Sequence, residues 1–382
     1  EWSADSLLRL MTLEEKIGQM YQTGGKGLIT GRAGTSGDPA TLIEKGLVGS
    51  MLGVVNPVQV YAYQKIAVEK SRLGIPLLFM ADVIHGLRTI FPVPLAMASS
   101  WDPNLVEEAQ RVAAKESALS GIHVTFAPMV DICRDPRWGR VVEGAGEDPY
   151  LGSVMARAQT NGFQGKNPIP KHRVVACVKH YAAYGASEAG RDYNTVDMSE
   201  YRLRNYYLPP YKAAVEAGVG MLMSSFNCIL GIPATTNNYL LHDILRKEWG
   251  FEGVTISDYD SAVETIAHGT SNDLGAVAKQ SLRASLDIEM VSQAYLRKLK
   301  ELVEGGKVQE EKIDKAVKRV LLMKHKLGLF DDPYRDLNLE ATSEVFLCEN
   351  HRSIAKKTAR DTFVLLKNKK IEATNTPTLP LI

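Results

Sequence analysis

Short apolar runs alternate with amphipathic helical stretches along most of this chain, and that rhythm limits its fold more than any other feature. The strand-like runs are "VGSMLGVV" (48–55), "IPLLFMAD" (75–82), "HVTFAPMVD" (123–131), "VVACVKHY" (174–181), "VGMLMSSFN" (219–227), "GVTISDY" (253–259) and "LDIEMV" (286–291). Between them the spacing predicts helices over 57–71, 150–164, 199–217, 237–249, 273–285, 292–305 and 310–326. A further helix starts after Asp102, which can cap it, has Pro103 in its first turn, and is closed by Gly121. Strand–helix repetition implies a parallel sheet covered on both faces. Seven or eight such units favour a closed (β/α)8 TIM barrel over an open sheet. No Gly-rich phosphate loop follows any run, as an open nucleotide-binding sheet would want.

Five of the seven runs end in polar residues. Asp82, Asp131, Lys179 with His180, Asn227 and Asp258 all stand at C-terminal strand ends. In a barrel those ends converge on one rim, where active sites form. A cup rich in Asp, Lys, His and Arg suits a polyhydroxylated ligand, because carboxylates and cationic donors can each hold neighbouring hydroxyls.

The bulk composition narrows the function classes. Among 382 residues, 45 are Lys or Arg and 44 are Asp or Glu, for a net charge of +1. That balance calls for neither nucleic acid nor an anionic membrane surface. The apolar runs are too short to span a bilayer. Cys133, Cys177, Cys228 and Cys348 show no CxxC spacing, and the histidines show no HExxH, so neither a metal nor an organic cofactor is expected. The chain begins at Glu1 rather than Met, which reads as processing or trimming, with the targeting signal lost.

Five ordered motifs then make the sequence similar to a known family: "DVIHGLRTIFPVPLAMASSWD", "APMVDICRDPRWGRVVEGAGEDPYL", "VKHYAAYGASEAGRDYNTVDMS", "LRKEWGFEGVTISDYDS" and "HKLGLFDDPY". The chain resembles glycoside hydrolase family three over nearly its whole length, and within it the bacterial periplasmic β-glucosidases. The resemblance implies a retaining, exo-acting β-glycosidase in the periplasm or secreted, with Asp258 as nucleophile. It implies Asp82, Arg140, Lys179 and His180 as ligands of the sugar hydroxyls. Asn227 and Glu143 lie in matching motifs without a direct contact assigned. Glu143, Glu147 and Asp148 are expected in an ion and hydrogen-bond network with Arg134, Arg137 or Arg140. Asp260 is expected to cap the helix that starts near Ser261.

The physical chemistry agrees with those roles. A retaining glycosidase needs an ionised carboxylate below the anomeric carbon and a protonated acid about 5–5.5 Å from it. Lys179 and Arg140 are placed to keep Asp258 ionised.

The resemblance also implies a second, α/β sandwich domain that carries the acid/base glutamate. The expected organisation is a barrel over 1–335, a linker and helix over 336–360, and over 361–382 the first strand ("DTFVLLKN") of that second domain. A histidine-bearing loop found in single-domain relatives is absent, since "KHYAAYG" has Tyr184 at its place. A second domain or second chain, or a homodimer, is therefore an expected partner beside the β-glucoside or oligosaccharide substrate. Glu188 and Asp192 are the first candidates for an acid within the chain.

Two other readings compete. One is a non-catalytic sugar-binding or assembly fragment. The other is a lyase or aldolase using Lys179 as a Schiff base.

Overall fold

The computed structural model describes residues 3–25, 38–166 and 168–380. Ten strands form among the described residues: β1 (Tyr21–Gly24), β2 (Ser50–Leu52), β3 (Leu78–Ala81), β4 (Val124–Thr125), β5 (Val175–Tyr181), β6 (Met221–Ser224), β7 (Cys228–Ile229), β8 (Ile232–Pro233), β9 (Val254–Ile256) and β10 (Glu289–Met290). Eight of them lie in one parallel sheet, ordered β10-β1-β2-β3-β4-β5-β6-β9. β7 and β8 form a separate antiparallel hairpin just beyond the end of β6.

The two edges of the sheet meet, so the sheet is a near-closed barrel. The seam has little ladder. Its backbone bonds are a parallel bridge between Ile256 and Ile288, the Ser257 N–H donating to Ile288 O, the Asp260 N–H donating to Met290 O, and the Asp287 and Ile288 N–H groups both donating to Thr255 O. Side chains complete it. The Asp287 carboxylate accepts from Thr255 N–H at 2.9 Å, and Ser257 Oγ accepts from Met290 N–H at 2.8 Å.

Strand alternation sorts the core into two layers. Leu78 and Met80 point into the barrel with Val124, Phe126, Cys177, Met221, Ile256 and Met290. Phe79, between them, packs outward against Ile43, Val48 and Val60 under the helices. Each such fully buried side chain contributes about 1.5–3 kcal/mol relative to exposure.

The helix from Pro103 to Leu119 forms as its sequence signals dictate. Asp102 accepts from the Asn104 and Leu105 N–H groups, and Gly121 at φ 82° ends it in a conformation that favours glycine. The expected helix over 199–217 is broken into Glu200–Arg202, a π-helical turn Leu203–Tyr207, and Pro209–Glu216. Pro209 and Pro210 lack the N–H groups that a continuous helix would use.

The strand at Tyr21–Gly24 is an addition to the seven expected. The other runs pair over fewer residues than their apolar stretches suggest. In 123–131 only Val124 and Thr125 enter the ladder, with a lone bridge from Met129 to Lys179. The segment expected as a strand after residue 361 pairs with no sheet among the described residues. It follows the helix Glu349–Asp361 and leaves Phe363 84% and Leu366 91% exposed. Residues 381–382 of that span lie outside the described residues. No helix is long and apolar enough to cross a membrane among the described residues.

Candidate active site

The loops that leave the C-terminal strand ends enclose a cavity of about 650 Å³. Asp82 follows β3, Arg140 lies in the loop after β4, Lys179 and His180 are on β5, and Asp258 follows β9. All five line this cavity, with Glu143, Tyr193, Phe226, Asp260 and Glu264.

Asp258 is buried at the inner end. Its Oδ1 accepts the Tyr259 N–H at 2.6 Å. Its Oδ2 has no hydrogen-bond partner among the described residues, and the nearest cationic or imidazole nitrogen is His180 Nε2 at 3.5 Å. Burial pushes the carboxyl up to about 6, while the charges of Arg140 and Lys179 pull it down. It is mostly ionised at neutral pH. A buried carboxylate oxygen left without a donor is costly in a folded protein. It is also chemically available.

His180 is fixed from behind. Its Nδ1 lies 2.7 Å from Asp131 Oδ2, which also accepts the His180 N–H. Asp131 Oδ1 accepts from the Tyr211 hydroxyl at 2.6 Å and from the Tyr184 N–H. Burial raises the Asp131 carboxyl to about 7 against these hydrogen bonds, and burial with the Arg140 and Lys179 charges holds His180 well below its usual range. Two of the four groups around Asp131, the His180 and Tyr184 N–H groups, can only donate. That census favours the carboxylate, with neutral His180 donating from Nδ1. Nε2 is then an acceptor facing the cavity. Asp131, noted in the sequence only as a strand end, is thus the group that orients His180.

Lys179 is almost wholly buried, and its Nζ donates to Asp82 Oδ1 at 2.7 Å. The Asp82 side chain lines the cavity and remains about half exposed. The ion pair joins the ends of β3 and β5, on either side of β4, into one fork of donors and acceptors. Arg140 makes a two-pronged pair with Glu143, at 2.6 and 2.8 Å, with its guanidinium 5.7 Å from the Tyr184 ring centre.

The other expected acidic contacts divide. Glu143 does pair with Arg140. Asp148 instead caps the helix Pro149–Gln164 by accepting from Leu151 N–H at 2.6 Å, and Arg137 pairs with Asp135. Asn227 is buried and donates to the Ala182 and Cys228 carbonyls. Asp260 stands at the cap position of the helix Ser261–Ala267, but its backbone is left-handed (φ 61°) and its side chain makes no cap bond. Asp192 accepts from the Trp138 indole at 2.9 Å. Glu264, on the helix after Asp260, was not singled out in the sequence. Burial and the charges of Asp260 and Asp258 push its carboxyl up to about 7. Only its place four residues after Asp260, on the helix that follows the strand end bearing Asp258, could have drawn notice.

Among the described residues no group of three His, Cys, Asp or Glu side chains is disposed to hold a metal ion. All four cysteines are free, three of them buried.

Residues 12–323 match the family model described as the glycosyl hydrolase family 3 N terminal domain. A "Periplasmic beta-glucosidase" of Salmonella typhimurium is 43% identical over 366 residues, 95% of this chain and 47% of that protein. A "Beta-xylosidase" of Formosa agariphila is 34% identical over 320 residues, 78% of this chain and 44% of that protein. A crystal structure of beta-glucosidase from Listeria innocua in complex with isofagomine superposes with a TM-score of 0.90 at 43% identity, covering 96% of this chain and 51% of that one. The chain spans about half the length of the curated relatives it matches.

Proposed function

The chain belongs to glycosyl hydrolase family 3, and from that premise we propose that it is the barrel part of an exo-acting, retaining β-glucosidase. The enzyme releases the terminal non-reducing sugar from oligosaccharides or β-glucosides, in the periplasm or outside the cell. The observation that carries this reading is the ionised Asp258, whose Oδ2 faces a polar cavity without a hydrogen-bond donor of its own.

In this reading Asp258 Oδ2 attacks the anomeric carbon. The bond to the leaving oxygen breaks, that oxygen takes a proton from an acid, and a covalent glycosyl ester remains for water to cleave. Lys179, Asp82, Arg140 and neutral His180 hold the ring hydroxyls. Lys179 and Arg140 donate, while Asp82 and His180 Nε2 accept. Those contacts fix the anomeric carbon against Oδ2, which is where orientation lowers the barrel's part of the barrier. The Lys179–Asp82 ion pair makes Lys179 a charged donor, which is ill suited to Schiff-base chemistry. Neither a metal nor an organic cofactor is needed for this displacement.

The segment after Asp361 leads, in the same proposal, to a further α/β domain or a second chain. The exposure of consecutive Phe363, Val364, Leu365 and Leu366 supports this, since such a run is normally covered.

Turnover of nitrophenyl β-glucoside and β-xyloside by the full-length enzyme, with trapping of the intermediate on Asp258 by a 2-fluoroglucoside, tests the reading. Labelling of Asp258 with preferred glucoside turnover is expected. No labelling and no release of either sugar would overturn it.

A further inference from the structure

A cavity of about 230 Å³ opens beside the N-terminal ends of β9 and β10, at the end of the barrel away from Asp258. The helices Tyr239–Glu248, Leu274–Arg283 and Glu310–Lys326 wall it. Five cations line it, Arg246, Arg283, Lys312, Lys315 and Arg319, together with His242, against one acid, Asp287. Asp287 is wholly buried and already engaged, by Arg246 at 2.7 Å and Arg319 at 2.8 Å. Arg283, Lys312 and Lys315 have no ion pair among the described residues. The excess is local, because the whole chain carries a net charge of only +1. Helix ends explain part of it. Arg246 and Arg283 stand in the last turns of their helices, where cations complement the carbonyl end. Lys312 stands in the first turn of its helix, the end that disfavours a cation, and Lys315 follows one turn on. Arg246 is a second, independent sign. Its side chain is only 8% exposed, its terminal nitrogens donate to Phe251 O, Gly253 O, Thr255 Oγ1 and Asp287, and its Nε has no hydrogen-bond partner among the described residues. Burial pulls its guanidinium below the ordinary range, and the Arg319 charge adds to that against the opposing pull of Asp287. Like charges crowded around one cavity, with one counter-charge already engaged, are relieved by an anion.

We propose that this cavity binds a phosphoryl dianion, free phosphate or the head of a small phosphomonoester, with the Arg283, Lys312 and Lys315 side chains donating to its oxygens and the Arg246–Asp287–Arg319 cluster behind it. Guanidinium forks and ammonium groups are the donors that suit a tetrahedral oxyanion. The cavity is smaller than the roughly 300–1,000 Å³ of ordinary small-molecule pockets, which suits a group of few atoms. A dianion offsets more of the excess than chloride or one carboxylate does. Once bound, it cross-links three helices beside Asp287, whose hydrogen bond to the Thr255 N–H holds β9. It therefore stabilises the barrel without touching the catalytic cavity, and the inference stands apart from the glycosidase reading.

The test is calorimetric titration of the full-length enzyme at pH 7.5 with inorganic phosphate and with glycerol 3-phosphate, against sodium chloride matched in ionic strength. Saturable binding of at least one of the two is expected, with a melting temperature raised by about 2–4 °C at saturation. The tighter of the two names the form of the ligand. The double variant Lys312→Ala/Lys315→Ala should weaken that binding by roughly tenfold or more. Lys318→Ala, which removes a lysine already paired with Asp5, should leave it within about twofold. Unchanged far-ultraviolet circular dichroism and a cooperative melt show that the variants are folded. No saturable binding of either phosphate beyond the chloride control, or equal affinity in the wild type and the double variant, overturns the site.

Discussion

Two aspartates lie on either side of the same short strand, and they live differently. Asp287 is buried toward the N-terminal end of the barrel. It accepts from Arg246 at 2.7 Å, Arg319 at 2.8 Å, and both the N–H and hydroxyl of Thr255 on β9. Asp258, past the other end of β9, leaves Oδ2 without a hydrogen bond. The N-terminal end also holds the larger cavity, about 820 Å³ against 650 Å³. Volume therefore does not mark the working end. What marks it is a buried charge whose hydrogen bonds the protein declines to complete. At one end Asp287 has donors on both of its oxygens; at the other Asp258 keeps one oxygen open to the cavity.

The sharpest way to break this comparison is to remove each aspartate. Asp258→Ala should lower kcat of the full-length enzyme by about 10³-fold or more, because a nucleophile acts in the transition state. Azide should restore turnover and give the glycosyl azide of inverted configuration; near-normal kcat would end the nucleophile role. Asp287→Ala should do the reverse. It strands two arginines, so chemical denaturation should show a loss of about 3–5 kcal/mol, with kcat per folded molecule little changed. A large loss of kcat in folded Asp287→Ala would erase the distinction between the ends.

Lys324 sharpens the contrast within the structural end. It is fully buried, donates among the described residues only to Gln19 and the Gly49 carbonyl, and is pushed by burial down to about 7 from 10.5. Between those values the unfolded chain binds a proton that the folded chain does not, so wild-type stability rises with pH from about 7 to about 10. Melting curves of wild type and Lys324→Met should show wild type gaining on the variant across that window, by on the order of a few kcal/mol. A constant gap would mean the lysine stays charged in the fold.

The smallest effect concerns Asp258 itself. Its folded value, raised from 3.8 to about 6, means the unfolded chain ionises first. The wild type therefore loses stability as pH rises from about 4 to about 6, and the deficit persists above. Asp258→Asn should be more stable than wild type at pH 7 by roughly 1–3 kcal/mol, with the gap closing below about pH 4. The same ionisation should set the acid limb of kcat/KM near pH 6. An inactive variant with no gain in stability would show that Oδ2 is better solvated than its surroundings indicate.

Much of this was legible in the chain because apolar runs and polar stops report burial and strand ends directly. The helix caps at Asp102 and the grouping of Asp82, Arg140, Lys179, His180 and Asp258 on one rim belong to that legible part. The first strand was not. "YQTG" is four residues long, and its Gln22 and Thr23 are buried by barrel closure rather than by hydrophobicity; Gln22 donates to Ser50, its register partner on β2. Strand ends were overdrawn for the opposite reason, since residues 126–131 are apolar and buried yet serve as a loop into the site. Asp131 as the holder of His180, and Glu264 as a wall of the cavity, depend on contacts between distant segments. No local pattern carries such contacts.

The seam between β9 and β10 has a mechanical meaning. Elsewhere around the hoop, repeated ladder bonds hold neighbouring staves; here a few backbone bonds and the Asp287 and Ser257 side chains act as rivets. The stave that ends in Asp258 is thus the one least bound by its ladder on one flank. A hoop opens first at its joint, so the amides of Ser257 and Ile288 should exchange with solvent deuterium before those of β2 and β3. The position of Asp258 Oδ2, the attacking oxygen in the proposed mechanism, then depends in part on the side-chain clasp of Asp287 at the other end of the strand, which would tie the durability of catalysis to a carboxylate outside the cavity.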